Sequence, residues 1–465
     1  MAGRCRTRVI LGPPGTGKTT RLIRVAQDLC SLEERKDALF VSHTTIAAKE
    51  LGRRCGMDQA TAKTLHSVCY GLLSLTRAQV VDDAKLRVFG KYLNLDFDED
   101  NWPREALGVQ AMAESSGVPL EEAYMNSSRP CGWSDVRYVC SAYDTWKHQN
   151  GFLDFTDMLT RVAHLKPESR WTKLFIDEAQ DFSPVAWELV RLLARHAEMV
   201  VVAGDDDQAI FEWSGADPHG VDTFINEFGS DVEVLNKSYR VPHLAHAMAQ
   251  RIAGRIRRRI DKTYDACDRT GTYRYTGSFD ALRANDLRDS TVLYRDKSVR
   301  RDMDEHLQTL RMRFTSSKAP QSPYDKREAV ALRILAKLRD GKTISVKENK
   351  ALRGTLSSYA LGLFDMSGVG ALDKVNVYAM FDAPQELLEY LSVVDVTKPP
   401  EVRLSTIHNF KGAEDDRVVL CTGMSDRTSI GLSNNPDPEQ RVWYVGVTRT
   451  KNDLIVAGGD NEYQI

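Results

Sequence analysis

The stretch LGPPGTGKTT, Leu11 to Thr20, constrains this chain more than any other ten residues. Gly12, Gly17, Lys18 and Thr19 satisfy the spacing G-x-x-x-x-G-K-[ST], and Pro13, Gly15, Thr16 and Thr20 complete the loop. An apolar run, Val9 to Leu11, precedes it and the helix-patterned RLIRVAQDL follows, so the context is strand, loop, helix. Glycines let successive backbone N–H groups turn inward on phosphate oxygens, and the helix N-terminus adds its partial positive charge. Lys18 supplies a mobile cation and Thr19 a hydroxyl for Mg²⁺, so a nucleoside triphosphate on Mg²⁺ is the expected guest. The loop serves kinases, switches and motors alike and names no reaction.

At 465 residues the chain can hold two or more domains, and 42% hydrophobic with 28% charged residues is an ordinary soluble composition. The net charge of −2 requires any nucleic-acid partner to be met by a local basic surface. Eight cysteines include no C-x-x-C pair, which indicates neither a zinc site nor a disulfide framework and fits reduced thiols in a cytosol. No signal peptide, membrane-length apolar run or fixed-period repeat is visible, so a soluble, intracellular protein without a membrane partner is expected.

Further along, KLFIDEAQDFSP places the apolar run Leu174 to Ile176 directly before two acids. At the C-terminal end of a parallel strand, Asp177 can hold Mg²⁺ and Glu178 can deprotonate a water, which argues for hydrolysis. In VVVAGDDDQAIFEWSGAD an apolar strand, Met199 to Ala203, ends at Gly204, and Gln208 stands where an amide could touch a γ-phosphate or the attacking water. Phe211 and Trp213 follow. An aromatic pair can be core or a base-stacking platform; the polar residues around this one favour stacking.

These blocks do not stand alone. Together with LFVSHTTIAAKEL, AKTLHSV, GFLDFTDML, LNKSYR, LSTIHNFKGAEDDRVV and VWYVGVTRTKNDLIV they run in one order over nearly the whole chain. In this the sequence resembles the UvrD/Rep/PcrA-type superfamily 1 DNA helicases. The resemblance implies an α/β fold of two RecA-like domains with parallel sheets and two mostly helical inserted subdomains, ATP in the cleft and single-stranded DNA across both domains. It implies 3′→5′ movement with unwinding at single-strand/duplex junctions; a loader or protein-displacing translocase that does not separate strands by itself is the alternative. Arg240 and Arg449 are implied as arginine fingers, Tyr239 as the adenine-stacking residue and Glu414 as a ribose contact. His43, Thr44, Leu65, His66, Phe211, Trp213, Thr406 and His408 are implied along the DNA path, and a replication or repair protein is an implied partner.

The expected division is 1–66 with 150–234 for the first RecA-like domain and 67–149 for its helical insertion. The second domain is expected at 235–314 with 401–465, and a reduced accessory insertion at 315–400. That insertion opens on the linker TSSKAPQSP and continues with helical periodicity at Ala329, Val330, Leu332, Ile334, Leu335 and Leu338. Three departures from the family pattern stand out. His43 replaces a usual Phe, Ser214 replaces a common Arg, and no adenine-reading glutamine precedes the phosphate loop. The run GRIRRRIDK, with Arg255, Arg257, Arg258 and Arg259, reads either as a phosphate-binding strip or as a solvated basic face. The small size and trimmed accessory parts suggest a compact viral or mobile-element version of the family, and the cytoplasm, of a bacterium or of a virus-infected host cell, is the expected location.

Overall fold

The computed structural model describes residues 5–31, 34–54, 62–97, 101–127, 129, 131–166, 171–315 and 326–465. Apart from Thr315, the linker TSSKAPQSP lies outside the described residues. The chain divides into two compact units, Met1–Tyr239 with Arg257–Asp265, and Arg240–Ile256 with Ala266–Ile465.

In the first unit six parallel strands, β1 (Arg6–Leu11), β2 (Ala38–Ser42), β3 (Ala62–Lys63), β4 (Lys173–Asp177), β5 (Met199–Gly204) and β6 (Asp231–Val234), are ordered β3-β2-β4-β5-β1-β6. Every residue of β2 and all but the first of β5 are buried, because both faces of the sheet are covered. That is why these segments read as unbroken apolar runs. The three runs that adjoin the candidate nucleotide residues belong to β4, β5 and β1, neighbours in the sheet, so their C-terminal ends converge.

Helix α1 (Lys18–Leu29) leaves the loop after β1 and buries Leu22, Ile23, Val25 and Ala26. After α2 (Thr45–Arg54) and α3 (Leu65–Leu72), four helices form the insertion: α4 (Asp83–Leu93), α5 (Trp102–Ser116), α6 (Leu120–Asn126) and α7 (Trp133–Asn150). They enclose their own core around Phe89, Val136, Tyr143 and Trp146. Gly151 ends α7 in the left-handed region at φ 65°, where a side chain would be strained. Helix α8 (Phe155–Leu165) then returns to the sheet's core through Met158, Leu159 and Val162.

The second unit repeats the plan. Strands β7 (Thr272–Thr276), β8 (Ser290–Tyr294), β9 (Phe314–Thr315), β10 (Val402–Thr406), β11 (Asp415–Cys421) and β12 (Thr450–Ala457) pair in parallel in the order β7-β12-β11-β8-β10-β9. Between β9 and β10 the described chain is helical, over Arg327–Arg339, Val346–Arg353, Ser358–Ser367, Val377–Met380 and Gln385–Val393. Ile334, Leu335, Leu352 and Phe381 are buried among these helices. The fold is therefore α/β with two parallel sheets and helical insertions.

The first unit extends past 234 to Tyr239 and takes back Arg257–Asp265. The cause is local bonding: the Ser238 amide donates to the Asp265 carbonyl at 2.9 Å, and Lys262 is buried against acids of the first unit. Among the described residues no helix is long and apolar enough to cross a membrane.

Candidate nucleotide site and strand-contact surface

The phosphate loop is braced from several sides. The Gly12 amide donates to the Gly204 carbonyl at 3.0 Å, and the Tyr239 amide donates to Gly15 at 2.8 Å. The Thr16 hydroxyl donates to Pro13 at 2.7 Å and the Ser238 hydroxyl to Pro14 at 2.8 Å. Gly17 takes φ 81°, a conformation that L side chains rarely adopt. A Cβ on Gly12 would lie 1.8 Å from Lys18 Cγ, so the lysine stem crosses the glycine itself. Gly12→Ala is therefore expected to displace Lys18 and weaken ATP binding about 10- to 100-fold, the loss of one charge-assisted contact. Equilibrium titration with a fluorescent nucleotide checks this, and unchanged affinity contradicts it.

Opposite the loop, the Thr19 hydroxyl donates to Asp177 Oδ2 at 2.7 Å. Burial, and then the charge of Glu178, push the Asp177 carboxyl up to about 6. A hydroxyl and a carboxylate side by side form a hard-oxygen donor set that fits Mg²⁺. Glu178 sits at φ 53°, left-handed for a residue with a side chain, a strain that turns it off the end of β4. Its carboxylate lies 3.8 Å from Lys18 Nζ. From Glu178 a hydrogen-bonded path leads to Gln208. Gln180 donates to Glu178 Oε2 at 2.5 Å and accepts from the Asp205 amide at 3.0 Å, while Gln208 donates to Asp205 Oδ2 at 2.6 Å. Sequence reasoning missed Gln180, a fully buried polar residue between two acids in DEAQD; its signal was that such an amide must be hydrogen-bonded.

The loop after Gln208 carries the aromatic pair. Trp213 is 64% exposed, which removes the core reading for it, and Phe211 is half-buried. The Phe211 ring stacks parallel to His43 with centroids 6.0 Å apart, joining the ends of β5 and β2. Beside them a cavity of about 570 Å³ is lined by His43, Thr44, His66, Tyr70, Arg77 and Phe155, among others. Phe155, 58% exposed and edge-on to His66 at 5.3 Å, is an addition; its signal was an aromatic at the first position of a capped helix in GFLDFTDML. Leu65 requires a correction. It opens α3 facing inward, is 4% exposed and packs its side chain in the sheet's core.

Burial, and then the charge of His43, lower the His66 pKa to about 4. The folded protein thus holds a neutral imidazole, whereas the unfolded chain takes up a proton near 6.5. The stability this contributes is present above about pH 6.5 and lost as pH falls toward 4. His66→Phe is expected to flatten the thermal midpoint over that window; an acid limb identical to wild type contradicts it.

In the second unit Arg240 Nε donates to Glu414, so these two form an ion pair. Arg449 is 1% exposed and donates from Nε to the Val445 carbonyl at 2.9 Å. Thr406 ends β10 half-buried, with His408 two residues on. Tyr239, at the end of the first unit, is 73% exposed. The basic run matches neither expected form throughout. Arg259 is bound to Asp207 and Arg255 to the Gln464 carbonyl, while Arg257 and Arg258 remain exposed.

A phosphate loop at the C-terminal edge of one parallel sheet, followed in sequence by a second parallel-sheet unit, defines a phosphate-loop α/β fold of the two-sheet class. Residues 4–229 match the UvrD/REP helicase N-terminal domain family and residues 384–458 the UvrD-like helicase C-terminal domain family. The chain belongs to the UvrD/Rep/PcrA-type family of superfamily 1 helicases. DNA helicase II of Escherichia coli is 26% identical over 54% of this chain and 39% of its own length. The ATP-dependent DNA helicase PcrA of Staphylococcus aureus is 23% identical over 83% of this chain and 63% of its own. The chain thus spans from about two fifths to under two thirds of these relatives.

Proposed function

We propose that this protein is an ATP- and Mg²⁺-dependent DNA helicase that moves 3′→5′ on single strands and separates duplex at junctions. The observation that carries the reading is the path from Glu178 through Gln180 and Asp205 to Gln208, which ends on the loop that bears the exposed Trp213. A change at the γ-phosphate and a change in base stacking are thereby felt by one loop. Thr19 and Asp177 would hold Mg²⁺, which neutralises phosphate charge when bound. Lys18 would leave Glu178 for the β- and γ-phosphates, freeing that carboxylate to accept a proton from water. Gln208 would orient that water, with Arg240 and Arg449 released from their present partners to stabilise the transition state. The exposed ring of Tyr239 is suited to stack on adenine, and Glu414, once unpaired, to hold the ribose. His43, Thr44, His66, Phe211 and Trp213, with Thr406 and His408 of the second unit, would contact the strand.

Partial duplexes with a 3′ or a 5′ tail, incubated with purified protein and ATP, test the reading. Strand release from the 3′-tailed substrate alone is expected. Release from the 5′-tailed one alone overturns the polarity. DNA-stimulated hydrolysis without release from either selects the translocase that loads or displaces proteins.

A further inference from the structure

The basic run that the nucleotide site leaves unused crosses between the two units of the chain. It leaves the second unit at Ile256, lies on the first over Arg257–Asp265, and re-enters the second at Ala266. On the first unit it meets three consecutive acids that directly precede Gln208. Lys262 Nζ stands 3.1 Å from Asp205, 2.5 Å from Asp206 and 2.8 Å from Asp207, with its side chain 1% exposed. Arg259 binds Asp207 through Nε at 2.9 Å and Nη2 at 2.6 Å, and the Ile260 amide donates to Asp206 at 2.8 Å. Burial alone would lower the Lys262 pKa; the facing carboxylates outweigh it and hold the ammonium above its ordinary range.

We infer that Lys262 is a positioning residue for hydrolysis, acting through Asp205. One carboxylate, Asp205, takes the lysine on Oδ1 and the Gln208 amide on Oδ2, while its backbone N–H donates to Gln180, the partner of Glu178. Lys262 therefore fixes the side chain of a residue that holds the Gln208 amide through its carboxylate and Gln180, the partner of Glu178, through its backbone. Its burial leaves that carboxylate no competing solvent position. A buried ion set of this kind is poor evidence for stability, since apolar replacements often do as well, but it fixes geometry. The inference rests on the roles given above to Glu178 and Gln208.

Removing Lys262 alone would leave buried Asp205 and Asp206 without the cation that faces them, Arg259 still serving Asp207, so the test pairs Lys262→Met with Asp206→Asn, which leaves the cluster's net charge unchanged. Lys262→Arg is measured alongside; it keeps the cation, but a planar fork cannot occupy the point shared by three carboxylates. Each full-length variant is assayed for thermal midpoint, binding of a fluorescent ATP analogue, and kcat for ATP on saturating single-stranded DNA. Misplacement of the reacting groups is expected to lower kcat about 10- to 100-fold in the double variant and less in Lys262→Arg. Nucleotide affinity, which depends on the loop after β1 and not on a direct contact from Lys262, should stay within about twofold of wild type in both. Wild-type kcat in a folded variant overturns the inference. So does a loss of kcat and nucleotide binding in equal proportion, which is the mark of a merely structural role. If the double variant does not fold, Lys262→Arg decides by the same criteria. Gln208→Ala is the control for the underlying reading: if it hydrolyses ATP normally, the sensor role of Gln208 fails, independently of what Lys262 does.

Discussion

Glu178→Gln is expected to bind Mg-nucleotide as the wild type does and to lose turnover by about 10²- to 10⁴-fold, the contribution of a positioned general base. The amide matches the carboxylate in size and can still take the hydrogen bond from Gln180, so the path toward Gln208 survives. What it cannot do is accept a proton from water. The substitution also removes a negative charge beside Asp177, whose carboxyl that charge helps push upward, and beside Lys18. Nucleotide binding should therefore be retained or strengthened, because the lysine no longer has to leave an ion pair. Fluorescent-nucleotide titration and steady-state phosphate release on one preparation check both halves. Hydrolysis near wild type would remove Glu178 from the chemistry.

Trp213→Ala separates the motor from the hydrolase. An indole with 64% of its surface in solvent contributes little to folding, so stability should change by no more than about 0.5 kcal/mol. Loss of one stacking platform should weaken single-strand binding by about 1–3 kcal/mol and abolish unwinding. Hydrolysis without DNA should survive, since no phosphate-facing group is touched. Thermal midpoint, basal ATPase, strand affinity and unwinding, measured together, give that pattern or contradict it. A variant that binds DNA normally excludes Trp213 from the strand path. One that is strongly destabilised and depressed in every activity would contradict the stacking role.

What the sequence disclosed and what it withheld divide along the range of the forces involved. The phosphate loop and the ends of β1, β4 and β5 were legible because each depends on a few adjacent residues: glycines where the backbone must turn, acids where a buried strand stops. The pairing of Lys262 with Asp205, Asp206 and Asp207 was not, because it joins segments more than fifty residues apart and depends on where the chain re-enters the first unit. Three consecutive acids after a buried strand do carry a signal, since buried carboxylates require cations, but the sequence does not say which cations arrive. Leu65 failed in the opposite sense. Its motif position was right, yet only the direction in which α3 presents it shows that its side chain belongs to the core. For Arg240 and Arg449 the sequence gives the residue type, and the present ion pair and carbonyl contact appear only in three dimensions.

The central claim is that hydrolysis at the Gly12–Thr20 loop drives movement along a DNA strand. The most direct test is the steady-state ATPase rate of the purified chain with and without single-stranded DNA. The account predicts a clear rise in kcat on adding the strand, and a rise that is lost in Trp213→Ala while the basal rate persists. A rate that single-stranded DNA leaves unchanged would contradict it.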